Sequence, residues 1–156
     1  MTDKTEVHDR IGLFTGSFDP FTIGHADIVR RALQLVDKLY IVITVNPTKQ
    51  SMFTTEERMA SIKRLYEDEP RIIVKANSGM TIDFAHKVGA RLIIRGVRST
   101  IDFEYEKVQA EFNQRLGGLE TVLLFSSPEL SAISSSAYRQ LVLFHQDASW
   151  MLPHKG

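Results

Sequence analysis

The sequence predicts an α/β protein in which five parallel strands form one doubly wound sheet, with helices on both faces, in a single domain. Short aliphatic runs alternate with segments of helical periodicity along the chain, a pattern that is typical of a parallel sheet. The strand-like runs lack the polar–apolar alternation of half-exposed strands. The loops with unusual chemistry all follow strands, as in Rossmann-like sheets, where ligands bind at the carboxyl edge.

The composition fits a globular protein with its own core and argues against a polyanion as partner. The chain has 156 residues, of which 43% are hydrophobic and 24% charged, and a domain of that length buries roughly 70% of its unfolded surface. Its 19 basic and 19 acidic residues cancel, so no overall field attracts nucleic acid. The absence of cysteine excludes disulfides and thiolate metal sites.

The polar segment 1–9 is expected to be a flexible N-terminal tail ahead of a domain at residues 10–156. It lacks the apolar centre of a secretory signal. No apolar run approaches the ~18–20 residues that a membrane-spanning helix needs. We therefore expect no membrane contact and a cytoplasmic location.

Five strands are expected where short β-branched or aliphatic runs occur. Their predicted bounds are Arg10–Phe14, Leu39–Val45, Arg71–Lys75, Arg91–Ile94 and Glu120–Phe125. Such near-continuous apolar runs are typical of strands that are covered on both faces.

Helices are expected between and after these strands. They begin near Gly24, Thr54, Met80, Ile101 and Ser134. The first two carry apolar stripes at helical spacing, namely Ala26-Val29-Leu33-Val36 and Met59-Ile62-Leu65. Thr54 with Glu57 three residues later predicts a capping box at the start of the second helix.

The fourth helix is expected to bury a long apolar stripe. The stripe consists of Ile101, Tyr105, Val108, Phe112 and Leu116, and Gly117-Gly118 close the helix. A second, polar stripe comprises Asp102, Glu106, Gln109 and Asn113. The spacing by itself predicts that this polar stripe faces solvent and has no role.

The most informative stretch follows the first strand and extends from Thr15 to His25. A strand here runs into a turn that opens a helix, so free backbone N–H groups and the positive end of the helix dipole meet. A phosphate is the natural ligand of such a place. His25 adds a donor aimed at the same point, and Ser17 adds a hydroxyl and an N–H. Asp19 is interpreted as part of the turn, without a catalytic role.

Cations and hydroxyls follow other strands, which predicts one crevice for all of them. Arg95 ends an apolar strand, a poor place for a guanidinium without an anionic partner, so function is favoured over a structural ion pair. Lys49 lies in a loop, where a lone cation is more often simply solvated. For Arg98 a functional role and a structural ion pair are equally favoured. The three serines Ser134–Ser136 exceed the one that helix capping needs, which predicts a second phosphate-binding site.

Several common catalytic devices are absent from the sequence. It has no G-x-x-x-x-G-K-[ST] loop, no G-x-G-x-x-G after the first strand and no G-x-S-x-G elbow. His86, His145 and His154 lack the spacing of a zinc site and are expected at the surface, and no protein metal site is expected. The remaining groups suit phosphoryl or nucleotidyl transfer without a covalent intermediate.

The chain resembles the bacterial phosphopantetheine adenylyltransferases, in the nucleotidyltransferase superfamily marked by [T/H]-x-G-H. Five ordered motifs carry the likeness: Gly16–His25, which ends in Thr22-Ile23-Gly24-His25; Lys49 with Met52–Arg58; Ile94–Arg98; Asp102–Glu106; and Ile133–Ser136. The likeness extends from about Arg10 to Pro153. The first motif alone identifies only the superfamily, whereas all five in order are highly specific.

The resemblance implies adenylyl transfer from ATP to 4'-phosphopantetheine, which gives 3'-dephospho-coenzyme A and pyrophosphate in coenzyme A biosynthesis. It implies Mg²⁺ held mainly through the ATP phosphates, and His25 stabilising the transition state at the α-phosphate. Dephospho-coenzyme A and coenzyme A are expected as product or feedback ligands, and a homohexamer as the assembly.

The resemblance also assigns binding residues. The positions that match the phosphopantetheine site are Ser17, Lys49, Thr81 and Arg95. Those that match the ATP site are Ser17, Phe18 through its backbone, His25, Gly96, Val97, Arg98, Glu106, Leu130, Ser131, Ala132, Ile133, Ser134, Ser135 and Ser136. Departures from the family pattern are Thr15 and Ser17, where proline and threonine are usual, and Leu130, where tryptophan is common.

Two alternatives stay open at this point. One is another small-molecule nucleotidyltransferase with a different acceptor, such as nicotinamide mononucleotide or an alcohol phosphate. The other is a non-catalytic nucleotide-binding sensor. Lys49, Arg95 and the Ile133–Ser136 motif argue against the first, and the intact pair of His25 and Ser17 argues against the second.

Overall fold

The computed structural model describes residues 9–155 and folds them around a sheet of five parallel strands in the order β3-β2-β1-β4-β5. The strands are β1 (Ile11–Gly16), β2 (Lys38–Thr44), β3 (Ile72–Asn77), β4 (Leu92–Val97) and β5 (Glu120–Phe125). The strand order reverses between β1 and β4, which leaves a crevice at their carboxyl ends. The tail predicted at residues 1–9 falls almost entirely outside the described residues.

Within the described residues, five α-helices connect and follow the strands. They are α1 (Ile23–Ala32), α2 (Thr55–Leu65), α3 (Thr81–Val88), α4 (Thr100–Gly117) and α5 (Ser135–Leu143), with short 3-10 turns at Pro128–Leu130 and Ser149–Met151. Each helix begins within one residue of its predicted start. None of the helices in residues 9–155 is long and apolar enough to span a membrane.

Both faces of the sheet are buried, which confirms the doubly wound arrangement. Neighbouring strand residues point to opposite faces: Phe14 packs in a cluster with residues of α1 and α2, whereas Leu13 packs in a cluster with residues of α3. Each such side chain contributes about 1.5–3 kcal/mol of transfer free energy when it is fully buried.

The helix ends carry the caps that the sequence predicts. Thr54 and Glu57 form a reciprocal capping box, with the Glu57 N–H donating to Thr54 Oγ1 at 3.1 Å and the Thr54 N–H donating to Glu57 Oε1 at 3.3 Å. At the C-terminal end of α4, Gly118 has φ 64°, a left-handed conformation that glycine adopts without a steric cost.

The apolar stripe of α4 faces outward, so the prediction that it joins the core is wrong. Its side chains are between 50% and 83% exposed, and they belong to Ile101, Tyr105, Val108, Phe112 and Leu116. The inward position is taken by Glu106, which is 5% exposed. β4 presents the partly buried guanidinium of Arg95 to this helix, and the carboxylate of Glu106 compensates for its lost hydration, which an aliphatic side chain could not do.

Strand β4 continues three residues beyond its predicted end at Ile94. Arg95, Gly96 and Val97 pair with Leu123, Leu124 and Phe125 of β5. A charged residue followed by glycine is typical of a strand end, but here the Arg95 side chain has an anionic partner and the ladder continues. The motif predicted for the loop after β4 therefore begins within the strand.

Candidate active site

One cavity of about 310 Å³ lies at the carboxyl ends of β1 and β4. The predicted site residues that line it are Ser17, Phe18, His25, Lys49, Arg95, Gly96, Val97, Arg98, Glu106, Leu130, Ile133, Ser134, Ser135 and Ser136. This confirms the prediction that the histidine, the cations and the serines share one crevice. It follows from topology, because the carboxyl ends of parallel strands meet at one edge.

Three predicted site residues do not line this cavity: Ser131, Ala132 and Thr81. Ser131 and Ala132 are exposed between the 3-10 turn and α5. Thr81 begins α3 after β3, and β2 separates that strand from β1. Thr81 therefore lies outside this cavity, and its assignment to the phosphopantetheine site stays a prediction.

His25 forms the capping box of α1 together with Thr22. The Thr22 N–H donates to His25 Nδ1 at 2.9 Å, and the His25 N–H donates to Thr22 Oγ1 at 3.4 Å. Because a backbone N–H only donates, Nδ1 is the acceptor and the neutral imidazole carries its proton on Nε2. The T-x-G-H element thus fixes the tautomer and leaves Nε2–H as the donor available to a ligand.

The surroundings of His25 keep its imidazole uncharged at neutral pH. The rings of Phe18 and Phe21 lie with their centroids 5.0 and 5.3 Å from that of the imidazole. Burial lowers the pKa of His25 to about 3, with further contributions from the positive charges of Arg98 and Arg95. His25 is therefore built as a neutral hydrogen-bond donor rather than as a group that exchanges protons near pH 7.

This depressed pKa is expected to make the fold less stable as the solution is acidified. The unfolded chain protonates the imidazole below about pH 6.5, whereas the folded chain does so only near pH 3, so acid favours unfolding across that window. Between about pH 7.5 and 5.5 the free energy of unfolding should fall by about 1.4 kcal/mol on account of His25. Urea unfolding of wild type and His25→Gln measures this difference, and parallel pH profiles for the two proteins would contradict it.

Arg95 is at once a cavity residue and one member of a buried ion pair. Its Nε lies 3.0 Å from both carboxylate oxygens of Glu106, and its Nη2 lies 2.7 Å from Oε1. Nη1 donates to the carbonyl and hydroxyl of Thr15. The sequence favours a ligand-binding role for Arg95 over a structural ion pair. The structure shows that Arg95 forms an ion pair and also lines the cavity. Glu106 therefore fixes the orientation of the guanidinium.

Arg98 has a looser partner than Arg95 has. The backbone N–H of Arg98 donates to Asp102 Oδ2 at 3.1 Å. Its side-chain Nε lies 3.5 Å from the same oxygen, and the side chain is 42% exposed. Such an exposed pair contributes about 0–1 kcal/mol. The guanidinium can therefore exchange this partner for a bound anion at little cost.

Asp19 connects the first turn to the loop that carries Lys49. Its buried carboxylate accepts hydrogen bonds at 2.8 Å from the N–H groups of both Met52 and Phe53. Lys49 itself is exposed and lines the cavity. Both Asp19 oxygens are thus occupied in holding this loop, in agreement with its interpretation as a structural residue of the turn.

The three serines that open α5 have three different partners. Ser134 is the N-cap, with its Oγ accepting from the Ala137 N–H at 3.0 Å. Ser135 Oγ donates to the carbonyl of Pro20 at 2.7 Å, which attaches α5 to the first turn. Ser136 Oγ accepts from Arg139 at 3.2 Å. Capping thus uses one serine, as expected, and all three serines line the cavity.

Sequence reasoning missed three charged residues of this region. Arg139 lines the cavity and donates to the carbonyl of Asp19 at 2.7 Å, and Asp102 also lines it. Arg58 lies behind the cavity and donates to the carbonyl of Ser17 at 2.7 Å. Arg139 lies near the start of α5, after the serines, and Arg58 near the start of α2, after Thr54. This spacing could have marked both residues as close to the sheet edge, but nothing in the local sequence shows that their side chains reach the first turn.

The charges around the cavity favour a polyanionic ligand. Four cations line it, Lys49, Arg95, Arg98 and Arg139, against two carboxylates. Those carboxylates, Asp102 and Glu106, already pair with arginines. In the part of the chain that the structure describes, no three acidic or histidine side chains converge to hold a metal ion.

Comparison with known proteins gives a consistent family. A family model described as cytidylyltransferase-like matches residues 13–141. A phosphopantetheine adenylyltransferase of Bacteroides fragilis is 45% identical over 144 residues, which cover 92% of this chain and 96% of that protein. One of Porphyromonas gingivalis is 48% identical over 143 residues, covering 92% and 94%.

A solved structure shares the fold at much lower identity. It is a bifunctional NMN adenylyltransferase/ADP ribose pyrophosphatase from Francisella tularensis, with a TM-score of 0.72 and 16% identity over 96% of this chain and 46% of that one. At that identity the likeness shows the fold alone, whereas the curated relatives extend over nearly the whole of both sequences. The chain belongs to the phosphopantetheine adenylyltransferases, a family of nucleotidyltransferase enzymes.

Proposed function

We propose that this protein transfers the adenylyl group of ATP to 4'-phosphopantetheine, giving 3'-dephospho-coenzyme A and pyrophosphate. The names of its relatives support the reaction, and one observation in the site carries it. His25 presents a neutral, tautomer-fixed Nε2–H in a cavity that it shares with Ser17, Arg95 and the N-terminus of α5.

The chemistry of the reaction asks for a donor rather than for a base. An oxygen of the acceptor phosphate attacks the α-phosphorus of ATP, forming a P–O–P bond as the bond from the α-phosphorus to the pyrophosphate oxygen breaks. That phosphate monoester is already largely dianionic near pH 7, with a second pKa of about 6, so no proton has to be removed. Charge grows on the oxygens around phosphorus, where an N–H donor is most effective.

Two subsites meet at the first turn in this proposal. Lys49 and Arg95, with Thr81 further along, bind the phosphopantetheine side, and Ser17 contacts both substrates. The ATP side is formed by the backbone of Phe18, by His25, by Gly96–Arg98 with Glu106, and by the segment from Leu130 to Ser136. All of these residues except Thr81, Ser131 and Ala132 line the one cavity, which supports their acting on two substrates bound side by side.

Magnesium enters this proposal with the nucleotide. The carboxylates at the cavity are paired with arginines, so the described residues do not fit a site in which protein carboxylates alone hold Mg²⁺. Magnesium ions are commonly bound by substrate phosphates and water. We therefore write the nucleotide substrate as Mg²⁺–ATP.

Release of pyrophosphate tests the reaction and separates the alternatives. Protein with Mg²⁺–ATP and 4'-phosphopantetheine should release pyrophosphate well above the blank without enzyme. Nicotinamide mononucleotide in place of phosphopantetheine should give no release, and faster turnover with it would assign the chain to another nucleotidyltransferase activity. Saturable ATP binding with no turnover of either acceptor would assign it to nucleotide sensing.

We also propose a homo-oligomer, a hexamer by family likeness, that covers the outward stripe of α4. Five large apolar side chains on one face of α4 are each at least 50% exposed in the single chain. Such an exposed apolar face is typical of a protein interface. Coenzyme A and dephospho-coenzyme A as product or feedback ligands, and the cytoplasm as location, stay predictions.

Substitution in this stripe is expected to dissociate the assembly. Val108→Lys places a charge in the middle of a face that would otherwise be buried, at the cost of an unpaired ion. Light scattering after gel filtration should show a smaller particle for this variant than for wild type. Gln114→Lys, at an exposed position on another side of α4, is the control, and identical masses for all three proteins would contradict the proposal.

A further inference from the structure

Arg58 is a buried cation whose partners are neutral oxygens. The residue is 6% exposed, its Nη1 donates to the carbonyl of Ser17 at 2.7 Å, and its Nε and Nη2 donate to the carbonyl of Thr54 and the hydroxyl of Thr55 at 3.3 and 3.2 Å. Burying a guanidinium without a carboxylate partner is costly. We account for this buried guanidinium by its contact with the Ser17 carbonyl, where a positive charge is needed.

The Ser17 carbonyl that Arg58 holds belongs to the same peptide unit as the N–H of Phe18. In a planar trans peptide these two groups point in opposite directions. With the carbonyl turned toward α2, the N–H is directed to the other side of the turn, where Ser17 and Phe18 line the cavity. Within residues 9–155 this N–H donates to no protein acceptor.

The backbone at Phe18 is strained, so contacts from outside the turn are needed to stabilise its conformation. Phe18 has φ 48°, in the left-handed region that residues with a Cβ rarely adopt. Its ring is locked between those of Phe14 and Phe21, at centroid distances of 5.1 and 5.4 Å. The side chain therefore stays in place, and the peptide before it is the part that can relax by rotating.

We propose that Arg58 is a positioning residue that keeps the Phe18 N–H directed into the cavity, where it donates to a phosphate oxygen of the nucleotide. The inference rests on the proposed function and adds a residue outside the cavity to it. The guanidinium also polarises the peptide, which strengthens the N–H as a donor. Without Arg58 the peptide rotates and presents its carbonyl oxygen to the anion.

A pair of substitutions on one helix tests this role. Arg58→Met keeps the approximate length of the side chain and removes its charge. Arg64→Met is the matched control, because Arg64 is exposed on α2 and, within the described residues, its side chain donates no hydrogen bond to the first turn. We expect Arg58→Met to lower kcat for pyrophosphate release about 100-fold, with a much smaller change in the KM for phosphopantetheine. Arg58→Lys should recover part of this loss in kcat, since lysine keeps the positive charge but lacks the planar set of donors of the guanidinium.

The amide resonance of Phe18 provides a readout that a purely structural role does not move. Addition of AMP should shift this resonance in wild type, in Arg64→Met and, more weakly, in Arg58→Lys, but not in Arg58→Met. An unchanged kcat in Arg58→Met, or an equal shift in all four proteins, would overturn the proposal. If Arg58→Met does not fold, the comparison of Arg58→Lys with wild type decides. If wild type releases no pyrophosphate, the proposed function fails, while the AMP titration still reports the orientation of the peptide.

Discussion

His25→Ala is expected to lower kcat about 100- to 1000-fold while the protein remains folded. A preorganised donor aimed at developing charge is worth about 2.7–4 kcal/mol of the activation barrier. His25 is such a donor, because the Thr22 N–H fixes its tautomer and its pKa of about 3 keeps it neutral. Pyrophosphate release at saturating ATP and phosphopantetheine measures the change in kcat.

The control for this substitution is a histidine that is remote from the cavity. His154 is exposed near the end of the described chain, and His154→Ala should keep the wild-type kcat. In His25→Ala the KM values should change much less than kcat, because the donor acts mainly on charge that appears in the transition state. A kcat within a few-fold of wild type for His25→Ala would refute the assigned role.

Arg95→Ala is expected to affect both binding and stability. Removal of the guanidinium leaves the carboxylate of Glu106, which is 5% exposed, without its partner. Breaking such a pair costs about 3 kcal/mol of unfolding free energy, at the lower end of the range for buried pairs because the Arg95 side chain is 28% exposed. The KM for phosphopantetheine should also rise, about 10- to 100-fold, through the lost contact with its phosphate.

The double variant Arg95→Ala/Glu106→Gln separates these two effects. A neutral amide at 106 no longer needs a cation, so most of the stability measured by urea unfolding should return. The weak binding of phosphopantetheine should persist, because the cation is still absent. A rise in the KM for ATP alone would place Arg95 in the nucleotide subsite and contradict the assignment.

The sequence predicted the sheet and its helices because their signals are local. Aliphatic runs, helical stripes and caps such as Thr54 with Glu57 act over a few residues, and each is visible in the printed chain. The site followed from one topological rule, since loops after parallel strands meet at one edge. This rule predicts that His25, Ser17, Arg95 and the serines of α5 lie together, and they line one cavity.

The clearest failure of sequence reasoning is the orientation of α4. Helical spacing shows that this helix has an apolar and a polar stripe, but it does not show which stripe faces the sheet. The choice depends on Arg95, which lies in another element and needs Glu106. The spacing therefore predicts an apolar stripe in the core, whereas this stripe forms an exposed face on the single chain.

Local sequence patterns account for the order of the elements, for the helix caps and for the chemical groups that gather at the edge of the sheet. The partner of each group depends instead on the assembled fold: Nδ1 of His25 pairs with Thr22, Arg95 with Glu106, and Arg58 with the carbonyl of Ser17. The two kinds of interaction differ in their range along the chain. Periodicity and capping act between residues close in sequence, whereas hydrogen bonds and ion pairs between elements depend on distances that are set when the sheet assembles.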